Sequence, residues 1–300
     1  QRGYRRLDLG TWAGNMKAVP LYKKAGFFWV PETSVEMQNY IPLILRQPVL
    51  AGYFADHDWY QTQVRDLSVK EDDIRIGGMR VYPYEWRAGS RHIRAVIDAA
   101  GRDLTELATE RWRVACSVDD RRLYPGFPRR VRWVVERLEG PPLDVSLFAR
   151  GARGLHLQQE AAARVEDRAE WESELTADLD LQAREEHEPP HRVETTVLLD
   201  GRLLQLATAV KVEQPLDVQL VGLQPLAPGV RQTVSVRLRN PQEQTVHGDV
   251  TLTGGAGLAV GGSGGLTPVA TDLAAESCGG ASITLESRRS GLVWLRAQPR

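Results

Sequence analysis

A chain of 300 residues has room for two or three domains with ordinary cores. Its 38 basic and 39 acidic side chains leave a formal charge of -1, which removes any general electrostatic reason to expect nucleic acid or an anionic membrane as partner. Cys116 and Cys278 stand far apart and outside any CxxC pair, so they read as buried or free thiols rather than a disulfide or zinc site, as suits a reducing cytoplasm.

The opening residues, "QRGYRRLDLG", lack the apolar core of a signal peptide, and no apolar run anywhere approaches the roughly 20 residues of a membrane helix. They also lack an initiating Met, so the chain is expected to be processed or cut from something longer. In "YRRLDLGT", Leu7 and Leu9 alternate on one face, the signature of a strand. "WAGN" turns the chain, and Asn15 is expected to cap a helix whose Val19, Tyr22 and Ala25 recur at spacings of three. Gly26 ends that helix, because it accepts a left-handed conformation. "FFWV" and "SVEMQNY" read as two more strands. Residues 1–45 are thus a strand–helix–strand–strand fragment too small to hold a core of its own.

Residues 46–77 carry Leu50, Phe54, Tyr60 and Val64 in a helical rhythm and read as a helical linker. From residue 78 the pattern turns to strands. Trp112, Val114, Cys116 and Val118 share one face, as do Val131, Trp133 and Val135, and then Leu143, Val145 and Leu147. Asp200–Gly201 between two apolar runs predicts a tight hairpin, since its turn needs positive φ. The segment 160–188 has helix-favouring composition, yet Leu175, Ala177, Leu179 and Leu181 alternate strictly; its second half is expected to be strand, its first half helix or strand. Residues 78–214 are accordingly expected to form a β-sandwich.

After the boundary near "QPLDVQ", residues 215–300 repeat the pattern in "TVSVRLRN", the turn "PQEQ", "TVHGDVTLT", "ASITLE" and "GLVWLRA", with a low-complexity loop, "GGAGLAVGGSGG". A second, smaller sandwich of immunoglobulin-like type is the economical reading. The expected fold is mainly β: two sandwiches, preceded by a partial α/β segment and a linking helix.

The chemistry-bearing pattern is N-x-x-A-x-x-L-Y-x-x-x-G-F, met by Asn15, Ala18, Leu21, Tyr22, Gly26 and Phe27. Here the sequence resembles the closing motif of the GNAT superfamily of acetyl-CoA-dependent N-acetyltransferases, over about residues 1–40. The resemblance makes the α/β segment a remnant of that fold and acetyl-CoA the cosubstrate. It implies that Asn15 helps hold the pantetheine or pyrophosphate arm of the coenzyme. It also implies that Tyr22 acts as general acid toward the departing thiolate, with an amine of a small molecule or peptide as acceptor. A phenol with its ordinary pKa near 10 is protonated at neutral pH and can serve. The bland alternative is that Tyr22 is a core residue with a satisfied hydroxyl.

Two departures qualify the resemblance. Pro20 lies inside the helix and removes a donor near its start. The glycine-rich pyrophosphate loop, R/Q-x-x-G-x-G/A, should lie upstream of "GYRRLDLG", where only "QRG" stands. The expectation is therefore a C-terminal part of an acetyltransferase, inactive by itself. The competing expectation is a non-catalytic sandwich protein that binds a glycan or protein and carries a vestigial acyltransferase tail.

Other candidates are weaker. Asp56, His57 and Asp58 invite a metal reading, but adjacent helical residues point apart, and a solvated helix end is favoured, with no metal expected. His187 and His191 in "EEHEPPH" suit a polar loop. Trp86 and Trp133 would be a ligand platform if exposed, but alternation favours a core position. The sandwiches are expected to support homo-oligomers.

Overall fold

The computed structural model describes residues 3–12, 15, 17–76, 79–178, 181, 184, 188–213, 217–222, 229–240, 246–254, 258–260, 266–273, 278–287 and 295–299. The chain divides into two compact units, Gln1–Glu213 and Gln214–Arg300. Both are built almost wholly from antiparallel strands, so the fold is mainly β.

The first unit opens with β1 (Leu7–Gly10), helix α1 (Ala18–Lys24), β2 (Phe28–Trp29) and β3 (Glu36–Asn39). The three strands form one sheet in the order β1-β3-β2, both pairings antiparallel, with Met37 opposite Leu9 on one side and Trp29 on the other. The helix caps differently from expectation. Its N-cap is Lys17, without a side-chain cap, while the Asn15 side-chain amide donates to Thr11 Oγ1 at 3.2 Å. Pro20 explains the shift. A proline is tolerated where backbone N–H groups have no helical partner, so the helix begins at Ala18 and Pro20 falls in its first turn. At the other end Gly26 has a φ of +89° and turns the chain into β2, as the sequence predicts.

Next come α2 (Ile41–Ile44), a 3-10 turn (Pro48–Leu50), α3 (Ala51–Asp56), α4 (Trp59–Thr62), β4 (Gln63–Val64) and β5 (Ile74–Ile76). The stretch 46–77, read as one linking helix, is thus a 3-10 turn and two short helices followed by two strands. Pro42 and Pro48 sit at the starts of α2 and of the 3-10 turn, where a proline begins a helical turn but cannot continue one. Gln47, buried in this connector, accepts from the Gln205 backbone N–H at 2.9 Å.

The sandwich follows: β6 (Met79–Ala88), β7 (Arg91–Asp98), β8 (Asp103–Thr109), β9 (Trp112–Val118), β10 (Arg122–Leu123), β11 (Arg129–Arg137), β12 (Leu143–Gly151), β13 (Leu155–His156), β14 (Gln158–Val165), β15 (Arg168–Ala177), β16 (His191–Leu199) and β17 (Arg202–Val212). One sheet runs β13-β15-β11-β9-β8-β7-β6-β4, with β5 beside β6; the other runs β10-β17-β16-β12-β14. Their facing sides share one core that includes Trp86, Val114, Trp133, Leu147, Val197 and Leu204. The Trp133 indole N–H donates to Thr195 Oγ1 across the sandwich at 2.9 Å, which satisfies the one polar atom its burial would strand.

Period-2 alternation wins over helix-favouring composition in the ambiguous segment: β14 and β15 are both strands, each in a different sheet. Leu175 and Ala177 are buried as predicted, while Leu179 lies outside the described residues. The Asp200–Gly201 turn has φ values of 49° and 74°, the pair of positive angles that a primed hairpin turn requires.

The second unit contains β18 (Asp217–Val221), β19 (Arg231–Arg239), β20 (Val246–Gly254), β21 (Leu258–Val260), β22 (Leu266–Leu273), β23 (Cys278–Ser287) and β24 (Leu295–Pro299). Two antiparallel sheets result, β18-β19-β23-β21 and β22-β20-β24. The "PQEQ" turn and most of the glycine-rich loop lie outside the described residues.

Candidate functional site

Of the motif residues, Tyr22 and Phe27 pack, with Leu9, against a small cluster formed by Val19, Trp29, Val35 and Met37. Tyr22 is half-buried, its ring 6.3 Å from that of Phe27 in an edge-on arrangement. Asn15 lies one turn before α1, and no described hydrogen bond joins it to Tyr22. The cluster is fixed from below. Lys23, buried on the underside of α1, donates to Asp72 at 3.0 Å and to the Lys70 carbonyl at 2.8 Å. Asp72 in turn accepts from the Trp29 backbone N–H at 2.6 Å. Burial pushes the Asp72 carboxyl above the usual carboxylate range, while the Trp29 N–H and Lys23 pull against that rise.

β2 is pinned to the sandwich by aromatic contacts. Phe28 stacks on Tyr82 with centroids 5.0 Å apart and meets Tyr84 edge-on at 4.9 Å. The Tyr84 hydroxyl donates to the Gly26 carbonyl at 3.1 Å and accepts from the Tyr40 N–H at 2.8 Å. The segment also exposes apolar side chains. Tyr4, Leu7, Trp12 and Leu21 are 61, 44, 69 and 66 % exposed, and among the described residues β1 pairs on one side only.

The remaining sequence candidates separate. Asp58 caps α4 by accepting from the Gln61 N–H at 2.9 Å, Asp56 pairs with Arg91 at 3.5 Å, and His57 lies against the Tyr53 ring. Three neighbours thus serve three partners, and no described group of three or more His, Cys, Asp or Glu could hold a metal. His187 lies outside the described residues, and His191 begins β16 as a buried side chain. Trp86 and Trp133 are core residues, fully buried, so they form no ligand platform. Cys116 is a buried free thiol.

Two concave regions stand out that sequence reasoning missed. The first, about 580 Å³, opens on the outer side of the five-stranded sheet, with Phe148, Glu160, Glu194 and Gln205 in its lining. At its end Asp103, only 2 % exposed, takes two bonds from Arg5, at 2.7 and 2.9 Å, and one from Arg192 at 3.2 Å. Burial raises the Asp103 pKa against the pull of Arg5. The second, about 770 Å³, lies between the β2–β3 turn and the sandwich. Its walls carry Arg80, Arg121, Arg122 and Lys211, each with a carboxylate partner: Asp73, Asp98, Asp120 and Glu213 respectively. Neither Asn15 nor Tyr22 lines either region. The signal for the first was present in "LDVSLFAR", where the alternation that buries Leu143, Val145 and Leu147 forces an aromatic, Phe148, to the outside.

No family model and no curated protein matches the chain. Among solved structures it is similar to red sea bream transglutaminase, with 16 % identity, a TM-score of 0.32, and coverage of 62 % of this chain and 29 % of that one. It is also similar to Salmonella alpha-2-macroglobulin reacted with methylamine, at 13 % identity and a TM-score of 0.29, covering 70 % of this chain and 17 % of that one. For the native conformation of E. coli alpha-2-macroglobulin the values are 10 %, 0.28, 88 % and 23 %. The chain spans less than a third of the length of each. No described helix is long and apolar enough to cross a membrane.

Proposed function

We propose that this chain is the C-terminal part of an acetyl-CoA-dependent N-acetyltransferase that passes acetyl directly to an amine of a small molecule or peptide. The observation that carries the reading is the exposed apolar surface of the motif segment together with the unpaired edge of β1 among the described residues. Strand, helix and strand pair follow one another as the resemblance implies, yet Tyr4, Leu7, Trp12 and Leu21 are exposed and, among the described residues, β1 pairs on one side only. Apolar surface next to an open edge suits a sheet that other strands complete.

Acetyl-CoA fits this segment only in part. Asn15, with its amide held by Thr11, would meet the pantetheine or pyrophosphate arm, and Tyr22 would lie near the thioester sulfur. The residues before α1, "TWAGNMK", lack the glycine spacing of a phosphate cradle, and the helix start is occupied by Lys17 and Pro20. The reading therefore assigns the cradle to polypeptide outside this chain and expects the chain alone to be inactive. In the complete enzyme Tyr22 holds a proton on its hydroxyl and yields it as the amine displaces the thiolate. Such an enzyme would work in the cytoplasm, in keeping with the absence of any CxxC pair in the sequence.

The test is to prepare the protein with whatever residues its coding sequence specifies before Gln1, and to titrate acetyl-CoA by calorimetry into that protein and into the 300-residue chain. Binding by the longer protein and little by the chain is expected. In the longer protein Tyr22→Phe should lower turnover about 100-fold or more while coenzyme affinity barely moves. Tight binding by the chain alone would contradict the assignment of the cradle, and full turnover in Tyr22→Phe would remove Tyr22 from the chemistry.

A further inference from the structure

The outer side of the five-stranded sheet carries an ordered grid of side chains. Register across β14, β12, β16 and β17 sets Glu160, Phe148, Thr196 and Gln205 in one row. The next row is Gln158, Arg150, Glu194 and Ala207. Neighbours within a row are about 5 Å apart and the rows about 7 Å apart. Phe148, 46 % exposed, is the aromatic at the centre of this grid. A further hollow on the same side, lined by Ser146, Ala162, Arg164 and Leu198, continues the surface along the strands.

Charge decides what such a surface can hold. Arg5, Arg150 and Arg192 face Asp103, Glu160 and Glu194 in the cavity, so cations and anions balance. They are also held by one another: Arg5 and Arg192 by Asp103, and Arg192 and Arg150 by Glu194. A polyanion would gain no net attraction here. An amphipathic helix would find one ring rather than an apolar stripe, and a peptide strand would find a sheet side rather than an edge. What remains is an exposed aromatic ring among amide, hydroxyl and carboxylate groups, within the roughly 300–1,000 Å³ typical of small-ligand sites.

We propose that this cavity binds an uncharged saccharide, with Phe148 as the stacking platform. A pyranose ring has an apolar C–H side that lies on an aromatic ring. Its hydroxyls, each donor and acceptor, match the amides of Gln158 and Gln205 and the carboxylates of Glu160 and Glu194. Arg150 and Arg192 hold the Glu194 carboxylate in place before the ligand arrives, which lowers the entropy lost on binding. The proposal goes beyond the acyl-transfer reading and does not rest on it.

The 300-residue chain should be titrated by calorimetry with neutral tetrasaccharides of the cello, malto, xylo and N-acetylated chito series, with a heparin-derived tetrasaccharide as the anionic control. At least one neutral series is expected to bind and the heparin fragment not to. Phe148→Ala should weaken binding about tenfold or more, Phe148→Trp should keep it, and Gln205→Ala should weaken it about threefold or more. Both positions face outward, and unchanged melting temperatures will confirm that the variants fold. The proposal is overturned if no neutral series binds, if the heparin fragment binds more tightly, or if Phe148→Ala binds as well as the parent. It is equally overturned if sedimentation shows this side buried between two copies of the chain in a dimer that Phe148→Ala dissociates.

Discussion

The sandwich of the first unit buries Trp86 and Trp133 completely, whereas the strand–helix–strand–strand segment leaves Trp12 and Leu21 largely in water. The sandwich has two facing sheets and a continuous core, so each side chain is surrounded by others. The segment has a single small sheet and a four-residue cluster, and is held instead by point attachments: the Lys23–Asp72 pair, the Phe28–Tyr82 stack and the Tyr84 hydroxyl. Stability is cooperative in the first region and local in the second, and that contrast can be broken experimentally.

The largest effect is expected at Trp133. Trp133→Ala removes a filled volume and the indole donor to Thr195, and should cost about 3–5 kcal/mol by urea denaturation, with the whole first unit losing stability together. Lys23→Met should cost about 3 kcal/mol, because Asp72 is left buried without its cation. Its signature is different: faster amide exchange confined to α1 and β2, with the protection of β11 and β16 unchanged. A global loss of protection in Lys23→Met would erase the distinction between the regions. Gly26→Ala should cost about 1–3 kcal/mol, since a side chain there is strained at positive φ and its Cβ collides with Ile41 Cδ1.

The smallest effect at neutral pH concerns Cys116, whose thiol burial pushes up from 9.0 to about 12. The native chain keeps this proton after the unfolded chain has released it. The stability tied to Cys116 is therefore whole below pH 9 and is lost as pH rises toward 12, by about 1.4 kcal/mol per unit. In a Cys278→Ser background Cys116 should not react with a thiol reagent at pH 8 until denaturant is added. A Cys116→Ser variant should flatten the decline measured between pH 9 and 12.

Much of the β architecture was legible because the sandwich obeys a local rule. Alternation at Leu143, Val145 and Leu147, and at Val131, Trp133 and Val135, fixes which side of each strand is buried, and the positive φ demanded by Asp200–Gly201 fixes a hairpin. The strand nature of 160–165 is not decided by composition, because Ala, Glu and Arg suit either state, and only pairing with β12 decides it. The displaced start of α1 was readable in principle from Pro20 but was masked by an attractive cap at Asn15. The cavity around Phe148 was hidden for another reason. It gathers residues from four strands and from Arg5, and Asp103 joins it from the other sheet, so its parts are scattered along the chain from Arg5 to Ala207.

Gln47 carries a consequence of its own. Its side-chain carbonyl takes the Gln205 N–H, and its amide donates to the Leu43 carbonyl at 3.4 Å. A backbone donor at that point of β17 is thereby occupied by a connector residue more than 150 positions earlier in the chain. A border that would otherwise recruit a stray peptide is finished by one carboxamide, so protection against aggregation in this molecule is written partly in a segment that looks, in sequence, like mere tether.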